Sequence, residues 1–329
     1  MNSLRKNQYY SYQQLDEGLY QFQLKALKNG MIPIVSAITR PVEDDMHLLL
    51  GFGHNELALG VAGIHGETAA IRSMGRIESG YANLVATSSL SPCPFCQATL
   101  ATHLGIKTIR ILDDNSYKPD KSSYQKLGIT PQVLPNPSIE QTFSNWLKNP
   151  ENSSLWKRDI GIPTGPGGRP HQFSELEIER LLDLAVLVAK EGEKSGEIPI
   201  GALVIDEYGV VIGSGAPAIL SNNDPSSVAS MVAWRAAGSR DDWGRCTLLL
   251  THGPDSIAYA MFNVFGFGQL IVGSDKLYPG AIDLVRALNR PVIVNSKDQD
   301  QLDLPLQKWL QQNSTNLAKE FLGANFSSS

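Results

Sequence analysis

The chain has 329 residues, which is enough for two domains of about 150 residues each. Hydrophobic residues make up 42% and charged residues 19%, which is typical of a soluble globular protein and excludes a disordered or fibrous chain. The formal net charge is −5, so the composition lacks the basic excess of a dedicated nucleic-acid binder, and we expect no nucleic-acid partner.

The sequence shows no targeting or membrane-spanning signal. The N-terminal stretch MNSLRKNQYYSYQQ lacks the apolar core of a signal peptide, and no apolar run is long enough to span a bilayer. Cys93, Cys96 and Cys246 are too few for a disulfide scaffold, so the close pair points to metal or redox chemistry. We therefore expect a cytoplasmic protein with no membrane partner.

Predicted helices and strands alternate along the chain, and their order repeats in the two halves. In the first half, hydrophobic periodicity predicts a helix, a strand, a helix and two strands, at residues 15–27, 47–52, 69–74, 84–87 and 107–112. The second half predicts the same order at residues 178–190, 209–212, 231–237, 247–251 and 269–272. Such alternation indicates helices layered around a mixed sheet, which is the α/β class.

A Gly- and Pro-rich segment, GIPTGPGGRP at residues 161–170, separates the halves and predicts a domain boundary. The word G-x-I-P-I occurs on both sides of it, at residues 30–34 and 196–200. We therefore expect a duplication, with a first domain at residues 1–161, a linker at 162–173 and a second domain at 174–329. The alternative is two generic α/β domains that share an order of elements.

Four residues of the first half form a metal-site pattern. His65 and Glu67, in HGETAAI, begin one predicted helix, and Cys93 and Cys96, in SPCPFC, begin another. Two thiolates and an imidazole are good zinc ligands, and a helix N-terminus favours thiolates. Three protein ligands leave a position for water, as in a catalytic site. A structural zinc would need a fourth ligand, and the one candidate nearby, His103, is expected on a helix face.

The pattern H-x-E followed by P-C-x-x-C is the signature of zinc nucleobase deaminases. The first half, from about Leu15 to Gly161, resembles the fungal-type cytosine deaminases of the cytidine/deoxycytidylate deaminase superfamily, which hydrolyse free cytosine to uracil and ammonia. The resemblance implies two tandem three-layer α/β/α domains, each with a central mixed five-stranded sheet flanked by helices. It also implies one Zn²⁺ per chain, bound in the N-terminal domain by His65 and the two cysteines, with Glu67 as the catalytic residue.

The chemistry that follows is hydrolytic deamination. Zinc lowers the pKa of its bound water towards neutrality. Glu67 takes the proton of that water, and the hydroxide attacks the ring carbon that carries the amine. Glu67 then returns protons to the ring nitrogen and to the leaving ammonia, so one carboxylate acts as base and acid.

The same resemblance assigns three polar substrate contacts. The segment GFGHNE resembles the family's strand that ends in a substrate-binding Asn, which is Asn55 here, and a carboxamide can read a ring edge that both donates and accepts. The backbone N–H of Gly66 is expected to donate to the substrate carbonyl. In WKRDIG, which resembles the family's closing C-terminal tail, Asp159 would accept from the exocyclic amine. The alternatives are a turn residue for Asn55 and a surface carboxylate for Asp159.

Three further residues are expected to enclose the ring. By the resemblance, Trp156 covers it, Tyr117 in DDNSYK stacks on it, and Ile34 lines the pocket wall. The alternatives are a core tryptophan and a surface tyrosine. The chain departs from the family in a short loop at residues 55–65 and in a whole domain that follows the tail. Both departures concern the entrance to the site, and neither changes the expected reaction type.

The second half has lost the metal-site pattern. Val228 and Ser230 stand where His and Glu would be, and Asp255 and Ala258 replace the two cysteines. Val and Ala cannot bind zinc, and without a general base the reaction has no proton carrier. A makeshift metal pair of His252 and Asp255 is the alternative. We therefore expect the second domain to be a degenerate, non-catalytic deaminase-like domain, that is, a pseudoenzyme. We expect it to form an intrachain pseudo-dimer with the first domain, and the chain could also form a homodimer.

The expected function is zinc-dependent hydrolytic deamination of a free nucleobase or related heterocyclic amine, with cytosine first and with water as co-substrate. A guanine or nucleoside deaminase is the second interpretation, since Asn55 and Asp159 could also read a purine edge. A nucleic-acid base deaminase is the third, and it would need a basic track for phosphates. A non-enzymatic base-binding sensor is the fourth, and it would have no use for Glu67.

Overall fold

The computed structural model describes residues 3–78, 80–119, 122–161, 168–295, 297–324 and 326. The chain divides into two compact units, Met1–Ile160 and Gly161–Ser329. Residues 162–167 of the expected linker lie outside the described residues, and the division into a catalytic domain, a linker and a non-catalytic domain stays a prediction. No helix in the described ranges is long and apolar enough to cross a membrane.

In the first unit, helices and strands alternate as the sequence predicts. The helices among its described residues are α1 (Tyr12–Lys28), α2 (Gly66–Met74), α3 (Pro94–Ala98), α4 (Ser122–Lys126), α5 (Pro137–Leu147) and α6 (Pro150–Asp159). The strands are β1 (Tyr9–Ser11), β2 (Val35–Pro41), β3 (Met46–His54), β4 (Val85–Ser88), β5 (Thr108–Ile111) and β6 (Thr130–Val133). All five elements predicted for this half are present, with ends shifted by at most three residues.

The described strands of the first unit form one six-stranded mixed sheet in the order β1-β3-β2-β4-β5-β6. Strand β2 is antiparallel to β3 and β4, whereas β4, β5 and β6 are parallel. The prediction of five strands is wrong for this unit, because the sheet has a sixth strand. The additional strand is β1, at the edge, which pairs antiparallel with β3 over three residues. A strand that short has too few residues to show an alternating pattern.

The second unit repeats this plan with five strands, as predicted. The helices among its described residues are α7 (Glu175–Glu193), α8 (Ala229–Ala237), α9 (Ser256–Ala260), α10 (Ile282–Ala287), α11 (Gln299–Gln312) and α12 (Thr315–Leu322). The strands are β7 (Ala202–Ile205), β8 (Val211–Gly215), β9 (Thr247–Leu250), β10 (Gln269–Val272) and β11 (Val292–Val294), in the sheet order β11-β10-β9-β7-β8. The α/β class and the tandem arrangement are thus confirmed.

The two sheets share a local irregularity as well as their strand order. The pairing of β2 with β3 shifts between Ile38 and Thr39, and the pairing of β7 with β8 shifts between Val204 and Ile205. Each shift lies within the strand that is antiparallel to both neighbours, and Ile38 and Val204 are separated by the same 166 residues as Gly30 and Gly196. Because bulges are specific features of a fold, the shared position supports a duplication.

Two glycines of β3 let α2 lie close to the sheet. A Cβ on Gly51 would meet the Ala70 carbonyl oxygen at 2.4 Å, and a Cβ on Gly53 would meet the Ala69 Cβ at 2.4 Å. In the second unit, a Cβ on Gly213 would meet the Ala233 carbonyl oxygen of α8 at 2.3 Å. This close approach fixes the N-terminal end of α2 over the sheet, where the predicted metal pattern begins.

Apolar clusters cover both faces of the first sheet, which gives the expected three layers. One cluster includes Leu15 and Leu19 of α1 with Ile139 of α5. The other includes Ile71 and Met74 of α2 with the helical turns after the cysteine motif. Helices therefore pack on each side of the sheet, and the core is formed where they meet it.

A buried amide connects two elements on the α1 side. The Gln23 side chain is fully buried, and its Nε2 donates to the Pro33 carbonyl at 2.9 Å and to the Ile139 carbonyl at 3.3 Å. One side chain thus joins α1 to the loop before β2 and to α5. Since that loop leads into Ile34, the amide helps to fix a wall of the predicted site.

We expect Gln23→Ala to lower the free energy of unfolding by about 2 to 4 kcal/mol, because two buried carbonyls lose their donor. Denaturant unfolding followed by far-UV circular dichroism measures the change. Gln21→Ala is the matched control, since the Gln21 amide bonds only Glu17 near the surface, and it should change stability by less than about 0.5 kcal/mol. Equal effects of the two changes would contradict the bridging role.

Candidate metal centre and active site

Two helix N-termini meet at the predicted metal pattern. His65 is the N-cap of α2 and Cys93 is the N-cap of α3, which begins at Pro94 and contains Cys96 in its first turn. His65 Nδ1 lies 3.4 Å from Cys93 Sγ and 3.4 Å from Cys96 Sγ. All three side chains are at least 95% buried. Both helices begin where the sequence predicts, and they bring three side chains from distant segments together.

The three donor atoms fit a tetrahedral metal. They lie within 4.8 Å of one another. Ligand atoms around a tetrahedral zinc, with Zn–N near 2.0 Å and Zn–S near 2.3 Å, are about 3.5 to 3.8 Å apart. Two thiols and an imidazole also match the preference of zinc for S and N donors. Within the described residues, neither His103 nor the His252–Asp255 pair belongs to a group that meets this distance criterion.

The other ring nitrogen of His65 faces a carboxylate. His65 Nε2 lies 3.3 Å from Asp159 Oδ1, and Asn55 Nδ2 donates to Asp159 Oδ2 at 2.8 Å. Asn55 Oδ1 in turn accepts from the Leu57 N–H at 2.9 Å. A carboxylate at the outer nitrogen is the usual way in which proteins fix the ring of a metal-binding histidine. Asp159 Oδ1 is buried and, apart from this contact with His65, meets no hydrogen-bond donor among the described residues, so it can also accept from a ligand.

The Glu67 carboxylate lies in the first turn of α2, beside the donor atoms. Only 3% of Glu67 is exposed, and its Oε1 accepts from the Ser88 hydroxyl at 2.8 Å. Burial raises the pKa of the Glu67 carboxyl, and the nearby Cys93 sulfur raises it further. A buried carboxyl that favours the protonated form is suited to carrying a proton.

The electrostatics of the cluster favour a cation. Burial opposes charge on His65, but Asp159 and Cys93 outweigh burial and raise the pKa of His65 to about 10. Burial also opposes ionisation of Cys93, yet hydrogen bonds from Cys96 and His65 hold the pKa of Cys93 well below its usual range. Burial raises the pKa of Cys96, and it raises that of Asp159 to about 6. The cluster thus contains several buried acidic groups and only one basic group, the His65 imidazole. A bound divalent cation would neutralise the acidic groups.

An aromatic and aliphatic wall contains the three ring-enclosing candidates. Trp156 of α6 is 9% exposed, and its ring meets those of Tyr117 and Phe143 edge-on, each at a centroid distance of 5.4 Å. Trp156 and Ile34 belong to one buried cluster, against which the half-buried Tyr117 packs. The structure therefore brings the three predicted residues together, and it adds Phe143, which no sequence pattern singled out.

Gly66 occupies a position with little room for a side chain. It is the first residue of α2, where backbone N–H groups have no partner within the helix. A Cβ at this position would lie 3.1 Å from Ser36 Oγ and 3.2 Å from the Ile34 carbonyl oxygen. The absence of a side chain keeps the helix N-terminus close to the pocket wall, which suits the predicted role of the Gly66 N–H as a donor.

The equivalent pocket of the second unit is nearly filled. Val228 is the N-cap of α8 and Asp255 is the N-cap of α9, as His65 and Cys93 are for their helices. A remnant of about 10 Å³ lies between them, lined by Leu250 and by Phe321 of α12. An apolar side chain from the C-terminal helix thus lies beside the lost metal position. Val228 and Asp255 thus hold the same helix positions as His65 and Cys93, while the lack of catalysis stays a prediction.

Asp255 gives a pH-dependent test of this substituted site. Its Oδ1 accepts from the Ala258 N–H at 2.8 Å, and burial raises the pKa of Asp255 from its ordinary 3.8 to about 6. The folded protein therefore holds this proton more tightly than the unfolded chain, so the residue costs stability increasingly as the pH rises from about 4 to 6. We expect Asp255→Asn, which keeps the capping oxygen, to stabilise the protein by about 1 to 3 kcal/mol at pH 7.5. Thermal unfolding at pH 5 and pH 7.5 measures this stabilisation. An equal effect of Asp255→Asn at both pH values would contradict the raised pKa of Asp255.

The second unit also contains a larger cavity, of about 560 Å³, away from its substituted pocket. Its lining includes Ala189 and Pro199, which follow Gln23 and Pro33 by the same 166 residues that separate Gly30 from Gly196. The described lining combines lysines with acidic residues and includes His252 of the alternative metal pair, but it contains none of the predicted zinc-binding or substrate-binding residues.

Sequence reasoning missed two serines that lie next to Glu67. Ser88 donates to the Glu67 carboxylate, and the Ser36 hydroxyl donates to Ser88 Oγ at 3.0 Å. Both serines are fully buried. The one available signal was a run of three hydroxyl residues, TSS at 87–89, in a strand that otherwise reads as apolar.

Known proteins similar to this chain include one curated relative and several solved structures. No family model matches the chain. A cytosine deaminase from Candida albicans is 27% identical over 125 residues, which cover 37% of this chain and 83% of the relative. Among solved structures, a guanine deaminase from Nitrosomonas europaea is 17% identical with a TM-score of 0.33, over 46% of this chain and 94% of its own. A dCMP deaminase from cyanophage S-TIM5 is 18% identical with a TM-score of 0.29, over 37% and 100%.

The sequence match covers most of the length of a single-domain relative and just over a third of this chain. That extent corresponds to one of the two units, and the residues that carry the resemblance, from HGE to WKRDIG, all lie in the first. Just over a third of the chain is therefore similar in sequence to a cytosine deaminase.

Proposed function

We propose that this protein is a zinc-dependent aminohydrolase that deaminates a free nucleobase or a related small heterocyclic amine, with cytosine as the first candidate. The observation that carries the proposal is the group of donor atoms on His65, Cys93 and Cys96, with the buried Glu67 carboxylate beside it. A zinc ion at this position supplies Lewis acidity and lowers the pKa of water. The cytosine deaminase relative supports the same reaction.

Glu67 is the proton carrier in this proposal. Its carboxylate accepts one proton from the attacking water and passes it to the ring nitrogen. It then accepts the second proton, from the hydroxyl that the attack leaves on the ring carbon, and passes it to the amine, which departs as ammonia. Burial raises the pKa of Glu67, which favours the protonated state between these transfers. The Ser88 hydroxyl holds Oε1, and the second carboxylate oxygen is left for the transfers.

Asn55, Gly66 and Asp159 would recognise the edge of the base. Asp159 Oδ1 is a buried acceptor for an exocyclic amine, and its Oδ2 is oriented by the Asn55 amide. The Gly66 N–H, at the start of a helix, would donate to a ring carbonyl. Cytosine carries a carbonyl and an amine on one small ring, and the amine distinguishes it from uracil, so these contacts favour an aminopyrimidine.

The enclosure of the site favours a small substrate. The metal donors, Glu67, Asn55 and Asp159 are all at least 95% buried, and Trp156 is 91% buried. A planar base could be covered by Trp156 and Tyr117, whereas an attached ribose or a polynucleotide would have to displace α6. We therefore favour a free base over a nucleoside or a nucleic acid.

The test is ammonia release by the zinc-loaded protein with cytosine, cytidine, guanine, adenine and a short single-stranded RNA. We expect turnover of cytosine, with a kcat/KM for cytidine at least about 100-fold lower because the sugar has no room. Glu67→Gln protein, purified in the same way, controls for a contaminating deaminase. Faster turnover of guanine or of the RNA would replace the cytosine assignment with one of those substrates.

In the same proposal, residues 1–161 form the catalytic domain and residues 174–329 form a non-catalytic one. The second unit offers Val228 and Asp255 where the first has two metal ligands. We propose that it acts as a pseudoenzyme domain that replaces a partner subunit within the chain. Zinc content is the direct measure of this assignment.

A further inference from the structure

We propose that Ser36 and Ser88 form a hydroxyl relay that positions the Glu67 carboxylate for proton transfer. The inference rests on the proposed role of Glu67 as proton carrier, and it adds two positioning residues to that site. Neither serine contacts the metal donors in the hydrogen bonds described above. They act on the reaction only through Glu67.

The relay is a directed chain of two hydrogen bonds. Ser36 Oγ donates to Ser88 Oγ at 3.0 Å, and Ser88 Oγ donates to Glu67 Oε1 at 2.8 Å. A serine hydroxyl has one proton, so Ser88, which donates to Glu67, accepts from Ser36, and the chain has a single direction. Both hydroxyls are fully buried, so water does not compete for either bond.

The sheet register holds the two serines face to face. Ser36 of β2 and Ser88 of β4 are direct partners in the antiparallel pairing of these strands. Direct partners place their side chains on the same face of the sheet, about 4.5 to 5.5 Å apart at Cβ. The relay is therefore built on two strands, and its geometry does not depend on a loop.

The second unit shows what happens when the proton carrier is lost. The partners equivalent to Ser36 and Ser88 are Ala202 and Leu250, which are paired in the same way between β7 and β9. Ser230 stands at the position of Glu67. Both hydroxyls have thus disappeared together with the carboxylate. The joint loss of both hydroxyls and the carboxylate is what a relay that serves Glu67 predicts.

The expected consequence is an effect on kcat rather than on binding. Glu67 Oε1 is held by Ser88, so the carboxylate keeps one rotamer and presents its other oxygen to the reacting atoms. Without the relay the carboxylate would sample other rotamers and transfer protons less often, while the base would still be bound by its edge contacts. The effect of Ser36 should pass entirely through Ser88.

A double-mutant cycle in the full-length zinc protein tests the relay. We expect Ser88→Ala to lower kcat about 10-fold or more, and Ser36→Ala to lower it about 3-fold or more, with KM and zinc content unchanged. In the Ser88→Ala background, Ser36→Ala should cause no further loss. Ser88→Thr, which keeps the hydroxyl, should recover most of the activity. Thr39→Val is the matched control, since the Thr39 hydroxyl is buried on the same strand but bonds only the Val85 carbonyl.

Several outcomes would overturn the relay. These are additive effects of the two serine substitutions, a rise in KM with unchanged kcat, or an equal loss of kcat in Thr39→Val. A wild-type protein that deaminates nothing would instead contradict the proposed function. Crystal structures of the wild type and of Ser36→Ala would then decide the relay alone, because it requires an ordered Glu67 side chain in the first and a displaced or disordered one in the second.

Discussion

Glu67→Gln is expected to lower kcat by about 10³-fold or more while one zinc ion per chain stays bound. The amide has nearly the shape of the carboxylate and can still accept from Ser88 at its oxygen, so the fold and the donor group of His65 and the two cysteines should persist. It cannot take a proton from water, and no other described carboxylate lies in the first turn of α2. Steady-state ammonia release and elemental analysis of the same sample measure the two quantities.

The control for this substitution is Glu17→Gln, which removes a carboxylate from the exposed side of α1. It should leave both kcat and zinc content unchanged. If Glu67→Gln retained more than about a tenth of the wild-type kcat, Glu67 would not be the proton carrier. Loss of zinc in Glu67→Gln would point instead to a role of the carboxylate in binding the metal.

Hydrophobic periodicity and short motifs predict most of the fold and the centre of the site. The helix starts at His65 and Cys93 agree with the H-x-E and P-C-x-x-C pattern and with Pro94 at the first helical position, and the repeat of G-x-I-P-I predicts the two-unit plan. These signals are local or periodic, so a single sequence contains them. The donor group itself follows from chemistry, since two thiols and an imidazole have few other uses as a set.

The missing parts depend on contacts between distant segments. Arg110 lies in β5, where the sequence reads as an apolar strand, yet it is 2% exposed and forms a bidentate pair with Asp16, above the ring of Tyr12. The Ser36–Ser88 pair depends on strand register, which a single sequence does not give. Side-chain partners that come from separate strands and helices can be read only from the folded chain.

Cys93→Ser is expected to reduce bound zinc from one ion per chain to less than about 0.1, and to abolish turnover. Serine is a better N-cap than cysteine, so the start of α3 should be preserved and the loss should reflect the metal alone. The hydroxyl is a poor replacement for a thiolate, and His65 and Cys96 would remain as only two ligands. Zinc is measured by elemental analysis after dialysis against a weak chelator.

Cys246→Ser is the matched control for this prediction, because it removes a buried thiol from the second unit. It should leave one zinc ion and full activity. Two zinc ions in the wild-type protein, with one retained in Cys93→Ser, would place a second metal site elsewhere and would contradict the assignment of the second unit as metal-free. One ion in the wild type and none in Cys93→Ser would instead link metal binding to the unit that also contains Glu67, and the duplicated fold would then have kept its chemistry in one copy only.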